Sequence, residues 1–235
     1  MKHTLLIKDW LSSFLSLLFP RCCVVCGRPL AKGEECICTV CNINLPRTNY
    51  HLRKDNPVER LFWGQIPLER ATSFFFLRER KRLPVDSSSV EIWWTKGNRC
   101  NYGAVYGCRT FVFQFFQGID VIIPIPLHKK KQQIRGYNQS EWIARGIAVV
   151  TGIPIDTESI LRKKNTETQT RKSVFERRDN VEGIFELQHP ETLAGKHILI
   201  VDDVLTTGST TLACASCLVD VEDIRISILT LAMVE

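Results

Sequence analysis

Residues 198–211 read I-L-I-V-D-D-V-L-T-T-G-S-T-T, and this order of residue types leaves few folds open. Four apolar residues in a row suit a strand buried on both faces of a parallel sheet. Asp202 and Asp203 follow at its carboxyl end, where open α/β sheets bind their ligands. Two adjacent carboxylates can accept hydrogen bonds from a pair of vicinal hydroxyls, as on a ribose. Thr206, Thr207, Ser209 and Thr210 add hydroxyls, and Gly208 lets the backbone approach an anion closely. The apolar pattern that follows predicts a helix over residues 210–218, whose free N–H groups would make a phosphate seat. The expectation is a strand–loop–helix built around a ribose phosphate.

At 235 residues the chain can hold one ordinary domain and a small module. A net charge of +6 is mild, so it hints at anionic partners without demanding nucleic acid. Leu6, Trp10, Phe14, Leu17 and Leu18 fall near one helical face, so residues 1–19 are expected to form an amphipathic docking helix. Lys8 and Asp9 interrupt what would otherwise read as a signal peptide. No run is long enough to span a bilayer, and a cytoplasmic setting is expected.

Four of the ten cysteines form two pairs near the N-terminus, Cys23/Cys26 and Cys38/Cys41, with eleven residues between the pairs. Each C-x-x-C can make a tight knuckle presenting two thiolates, and four thiolates satisfy tetrahedral zinc without leaving a position open for chemistry. A structural zinc ribbon is expected over residues 20–48, with Cys22 and Cys36 as ligands at weaker spacing. Zinc would supply folding energy that so small a module lacks. Cys214 and Cys217 repeat the spacing without a partner pair and read as helix packing.

Two further stretches carry charge. Residues 119–124 (I-D-V-I-I-P) read as a second buried strand. It runs into P-I-P-L-H and then a basic loop, Lys129 to Lys131 followed by Arg135-Gly136-Tyr137-Asn138, placed to hold a pyrophosphate. Asn138 with Glu141 marks a helix start; Trp142, Ile143, Ile147 and Val150 supply its apolar face, and Gly152 with Pro154 ends it. Residues 162–179 hold seven cations and three acids and read as an exposed loop or hairpin. Beside a polyphosphate site such a segment could serve as a lid.

The 198–211 stretch resembles the PRPP-binding motif of type I phosphoribosyltransferases. Together with C-x-x-C-G, P-x-P-L-H, R-G-Y-N-Q and T-x-T-Q-T in this order, the chain resembles the ComF family, phosphoribosyltransferase-fold proteins with a zinc ribbon associated with DNA uptake. That resemblance implies an α/β fold over residues 60–235, a parallel sheet flanked by helices. It implies PRPP bound with magnesium, the ribose hydroxyls on Asp202 and Asp203, and the 5′-phosphate on Thr206, Thr207, Gly208, Ser209 and Thr210. Lys129, Lys130 and Arg135 are candidates for pyrophosphate, and Arg162, Lys164 and Arg171 for the lid. Expulsion of pyrophosphate rests on positioning and electrostatic stabilisation, so no single catalytic base is nominated. The rival expectation is a non-enzymatic competence factor that binds single-stranded DNA or a helicase-like partner.

Residues 76–113 break the family pattern, with Trp93-Trp94, a triple serine (Ser87 to Ser89) and stray Cys100 and Cys108. Codons can be chosen so that the next reading frame supplies the missing H-Q-L-K-Y-G-G. Two compensating frameshifts would then have scrambled this segment, leaving an inactive copy as a third expectation. The coding DNA across codons 70–120 decides it.

Overall fold

A computed structural model of the chain describes residues 20–23, 25–34, 37–77, 114–163 and 183–234. The expected amphipathic helix (1–19), all but the first two residues of the irregular 76–113 stretch, and the lid candidates Lys164 and Arg171 lie outside the described residues. The chain divides into two compact units, with the described residues up to Leu45 in the first and those from Pro46 in the second.

In the first unit, residues 21–30 fold back on themselves. Cys22 bridges Pro29 in antiparallel fashion, and the Leu30 N–H donates to the Arg21 carbonyl at 2.7 Å. The turn is closed by the Gly27 N–H on the Cys23 carbonyl (2.8 Å), with Gly27 at φ +72°, a conformation that favours glycine. The second cysteine pair differs from the expected knuckle. Cys38 is the N-cap of helix α1 (Thr39–Ile43), its sulfur accepting from the Cys41 N–H at 3.4 Å. Glu34 staples the intervening loop, accepting from the Ala31 N–H and from both the N–H and the hydroxyl of Thr39.

The second unit is built on a four-stranded, all-parallel sheet. Its strands are β1 (Leu68–Leu77), β2 (Val121–Pro124), β5 (His197–Leu205) and β6 (Arg225–Val234), ordered β1-β6-β5-β2. Ile198, Leu199, Ile200 and Val201 are fully buried, so β5 is covered on both faces, as its unbroken apolar run requires. The expected strand over 119–124 forms from Val121 onward, in register with Ile198 to Val201. One irregular segment lies along each outer edge. On β1, the Thr48 N–H donates to the Phe74 carbonyl and the Phe76 N–H to Pro46; on β2, the Ile122 N–H donates to Pro154 and the Asp156 N–H to Ile122.

Helix α2 (Pro57–Arg60) starts on a capping box. The Asn56 side chain accepts from the Val58 and Glu59 N–H groups, while its Nδ2 donates to the Ala71 carbonyl of β1 at 2.9 Å. Helix α3 (Lys129–Arg135) stands where a basic loop was expected. His128 caps its start, Gly136 ends it at φ +78°, and it buries no residue. Helix α4 (Gln139–Thr151) packs on β2 and β5 through Ile143, Ala144, Gly146 and Ile147, and Gly152 terminates it at φ +76°. A separate antiparallel pair, β3 (Ile160–Arg162) with β4 (Phe185–Leu187), brackets the basic 164–182 segment. Helix α5 runs Ser209–Ser216, one residue earlier at its start and two at its end than the sequence suggests, because Gly208 at φ +75° turns the chain directly into it. Among the described residues no helix is long and apolar enough to cross a membrane.

Candidate functional site

Strand β5 delivers its acids at the carboxyl edge of the sheet, and the first turns of α4 and α5 both reach Asp202. Asp202 is only 8% exposed. Its Oδ1 accepts from the Ser140 hydroxyl (3.1 Å) and the Asp203 N–H (2.9 Å), and its Oδ2 from the Thr211 hydroxyl (3.4 Å). Burial, then the neighbouring Asp203 charge, push its carboxyl up to about 7. Asp203 is half-buried and accepts from the Val204 N–H at 2.7 Å.

Beyond the acids, Thr206 and Thr207 are exposed and Gly208 is buried. The Thr207 and Ser209 hydroxyls share a 2.8 Å hydrogen bond. No side chain caps α5, so the N–H groups of its first turn open towards the loop. The Phe62 ring lies beneath: a Cβ placed on Gly208 would sit 3.4 Å from it. Thr210 is exposed on the first turn of α5.

Among the described basic candidates, Arg162 of β3 feels the Asp202 charge. It is half-buried over the Phe185 ring (5.4 Å), and burial lowers its guanidinium overall. The other cations spread out. Lys129, Lys130 and Arg135 are exposed on α3, where successive residues turn about 100° around the axis. The three consecutive lysines therefore leave the helix in different directions, and only their flexible stems could bring them to one anion.

Sequence reasoning missed Ser140, Thr211 and Phe62. Asn56-Pro57-Val58-Glu59 carries an N-cap, a Pro at N1 and a Glu at N3, a signal that locates the turn holding Phe62. Nothing local in the sequence marks Ser140 or Thr211 as partners of Asp202.

In the first unit, the sulfurs of Cys23, Cys26, Cys38 and Cys41 all lie within 4.8 Å of one another. Cys26 and Cys38 are 3.7 Å apart, close to the ~3.8 Å edge of a tetrahedron with sulfur bonds of about 2.3 Å. The donor set thus fits a tetrahedral divalent ion. Burial raises the Cys23 thiol, but N–H donation from Cys38 and its neighbours outweighs this and lowers it to about 7. Burial and the surrounding sulfurs push Cys41 up instead. Cys22 is outside the cluster, its thiol on the Pro20 carbonyl, and Cys36 is outside the described residues. Cys214 is fully buried in α5, as packing requires.

Competence protein ComFC of Bacillus subtilis is 24% identical over 203 residues, covering 84% of this chain and 71% of that protein. DNA utilization protein YhgH of Escherichia coli O157:H7 is 30% identical over 210 residues, covering 83% of this chain and 88% of that protein. The chain belongs to the ComF family. No protein-family model matches the sequence. Among solved structures, adenine phosphoribosyltransferase from Leishmania tarentolae overlaps 77% of this chain and 89% of its own, at 14% identity and a TM-score of 0.37. So loose an overlap says nothing about the site. The parallel sheet flanked by helices stands on the strand order described above.

Proposed function

We propose that this ComF-family chain is a phosphoribosyltransferase-like protein that binds PRPP with magnesium and serves the handling of DNA. One observation carries the sugar-phosphate part: the acid pair Asp202–Asp203 ends β5, and the loop of Thr206, Thr207, Gly208, Ser209 and Thr210 leads into the uncapped start of α5. A vicinal diol on the acids and a phosphate at a helix N-terminus fit that order of groups. Lys129, Lys130 and Arg135 on α3 are the candidates for the pyrophosphate, and Arg162, on which the Asp202 charge acts, is a candidate for the lid with Lys164 and Arg171. Zinc on Cys23, Cys26, Cys38 and Cys41 would be structural, since four sulfur donors fill its coordination. The link to DNA comes from the names of its relatives, a DNA utilization protein and a competence protein. Pyrophosphate release from PRPP and magnesium, measured across a panel of nucleobases, tests the reading. Release with one base and its loss in Asp203→Asn support it, and no release with any base sinks the enzymatic form.

A second reading draws on α3. It carries four cations, no acid and no buried residue, spread over two turns of helix. That distribution suits an extended polyanion, so a non-enzymatic factor holding single-stranded DNA is the alternative. Salt-sensitive DNA binding that survives both Asp202→Ala and Asp203→Ala, with no turnover, would favour it.

A further inference from the structure

Gly208 differs from other glycines of this chain in what lies beneath it. At Gly27, Gly33, Gly64, Gly118, Gly152 and Gly195, each also at positive φ, an added Cβ would meet nothing within 4 Å. At Gly208 it would reach Cε1 and Cζ of Phe62 at 3.4 Å and Cδ1 of Leu205 at 3.8 Å. The Thr206 to Thr210 loop therefore lies over the Phe62 ring at its bare α-carbon. That ring is 1% exposed and belongs to the buried core with Val58, Ala71 and Leu205. It is held from elsewhere. Phe62 follows α2, its N–H on the Glu59 carbonyl at 3.0 Å. Two bonds fasten α2 to one residue of β1: Asn56 Nδ2 donates to the Ala71 carbonyl at 2.9 Å, and Glu59 Oε1 accepts from the Ala71 N–H at 3.4 Å. The ring thus reaches the loop from the outer strand β1, not from β5, which carries the loop.

We infer that Phe62 is a positioning residue: its ring is the floor on which the loop after β5 rests, and it sets where the first N–H groups of α5 meet a phosphate. This rests on the ribose-phosphate reading for the ligand, and on packing alone for the floor. The loop has few anchors of its own. Thr206 and Thr207 are exposed, and no side chain caps α5. Leu205 is buried at the loop's entry, and the Leu212 N–H closes the first turn of α5 on the Gly208 carbonyl at 2.8 Å. Between these two points Gly208 is the residue whose backbone is freest to sink or tilt. The ring beneath removes that freedom. A misplacement of about 1 Å in groups that hold a ligand can cost up to about a hundredfold, so a fixed floor has a direct effect on the site.

Calorimetric titration of the full, metal-loaded chain, well below its melting temperature, tests the role. Phe62→Leu keeps the floor apolar but changes its shape, and should weaken binding of PRPP with magnesium about tenfold. Binding of pyrophosphate with magnesium, which brings no 5′-phosphate to the loop, should not change. Val58→Ala is the control: Val58 is fully buried in the same core, and its truncation should lower the melting temperature with both affinities unchanged. No weakening in Phe62→Leu, equal weakening of both ligands, or equal weakening of PRPP in the two variants overturns the role. A ligand-free arm stands beside it. Hydrogen exchange at the Leu212 amide, which reports the first turn of α5, should run about tenfold faster in Phe62→Leu and at the wild-type rate in Val58→Ala. Should Phe62→Leu not fold, Phe62→Met takes its place in both arms. Wild type that binds no PRPP removes the ribose-phosphate reading, and the Leu212 amide then decides the floor by itself: equal exchange in wild type and the Phe62 variant overturns it.

Discussion

A carboxyl group held inside the protein, as Asp202 is, resists ionising, and this makes stability depend on pH. Its folded value of about 7 lies above the ordinary 3.8. Below pH 4 both the folded and the unfolded chain carry the proton, and the group contributes no difference. Between about 4 and 7 the unfolded chain releases it while the folded chain keeps it, so stability falls as pH rises through this window and then levels off. The span corresponds to on the order of 4 kcal/mol, each pKa unit being about 1.4 kcal/mol. Melting curves of wild type from pH 4 to 8 should carry this slope, and Asp202→Asn should flatten that part of it. An unchanged slope in the variant would place the titration elsewhere.

At the scale of the element, the start of α4 depends on one side chain used twice. The Asn138 Oδ1 accepts from the Ser140 N–H at 3.2 Å, while its Nδ2 donates to the Ile125 carbonyl at 3.0 Å. Asn138→Ala loses the cap, about 1 kcal/mol, and leaves a buried carbonyl unpaired, on the order of 1–3 kcal/mol more. Asn138→Asp keeps the cap and loses only the donor. Denaturation midpoints should rank wild type above Asp, and Asp above Ala; equal midpoints for the two variants would mean that the cap contributes nothing, and an Asp midpoint equal to wild type that the carbonyl bond contributes nothing. This helix was legible in the sequence because cap, apolar period and terminating glycine all lie within it. So was β5, an unbroken apolar run ending in acids. Helix α3 was not, since a helix that buries nothing leaves no apolar period to read. Strands β1 and β6 went unread for another reason: their identity rests on pairing with each other and with β5, which is set across the whole chain. Ser140 and Thr211 became visible for the same reason only in three dimensions, one 62 residues from Asp202 in sequence and the other on the far side of a loop.

At the scale of the molecule, two units have two sources of stability. The second has a continuous apolar core along β1, β5 and β6. Among its described residues the first has only Cys23 and Cys38 as buried apolar groups, so its order depends on whatever holds the four sulfurs together. Elemental analysis should find one zinc per chain. Chelation, or Cys38→Ser, should remove hydrogen-exchange protection from residues 21–45 while the amides of β5 and β6 keep theirs. Loss of protection in both units together would make the metal a keystone for the whole chain instead.

The segments lying along β1 and β2 have a consequence for how copies of this chain can meet. A parallel sheet with bare outer strands offers unpaired N–H and C=O groups to any extended peptide, and another molecule can continue the ladder. Here Pro46 to Thr48 and Pro154 to Asp156 already occupy those groups at Phe74, Phe76 and Ile122. Self-association at these places must therefore proceed through side-chain surfaces, because a visiting strand would first have to displace a piece of the chain's own backbone.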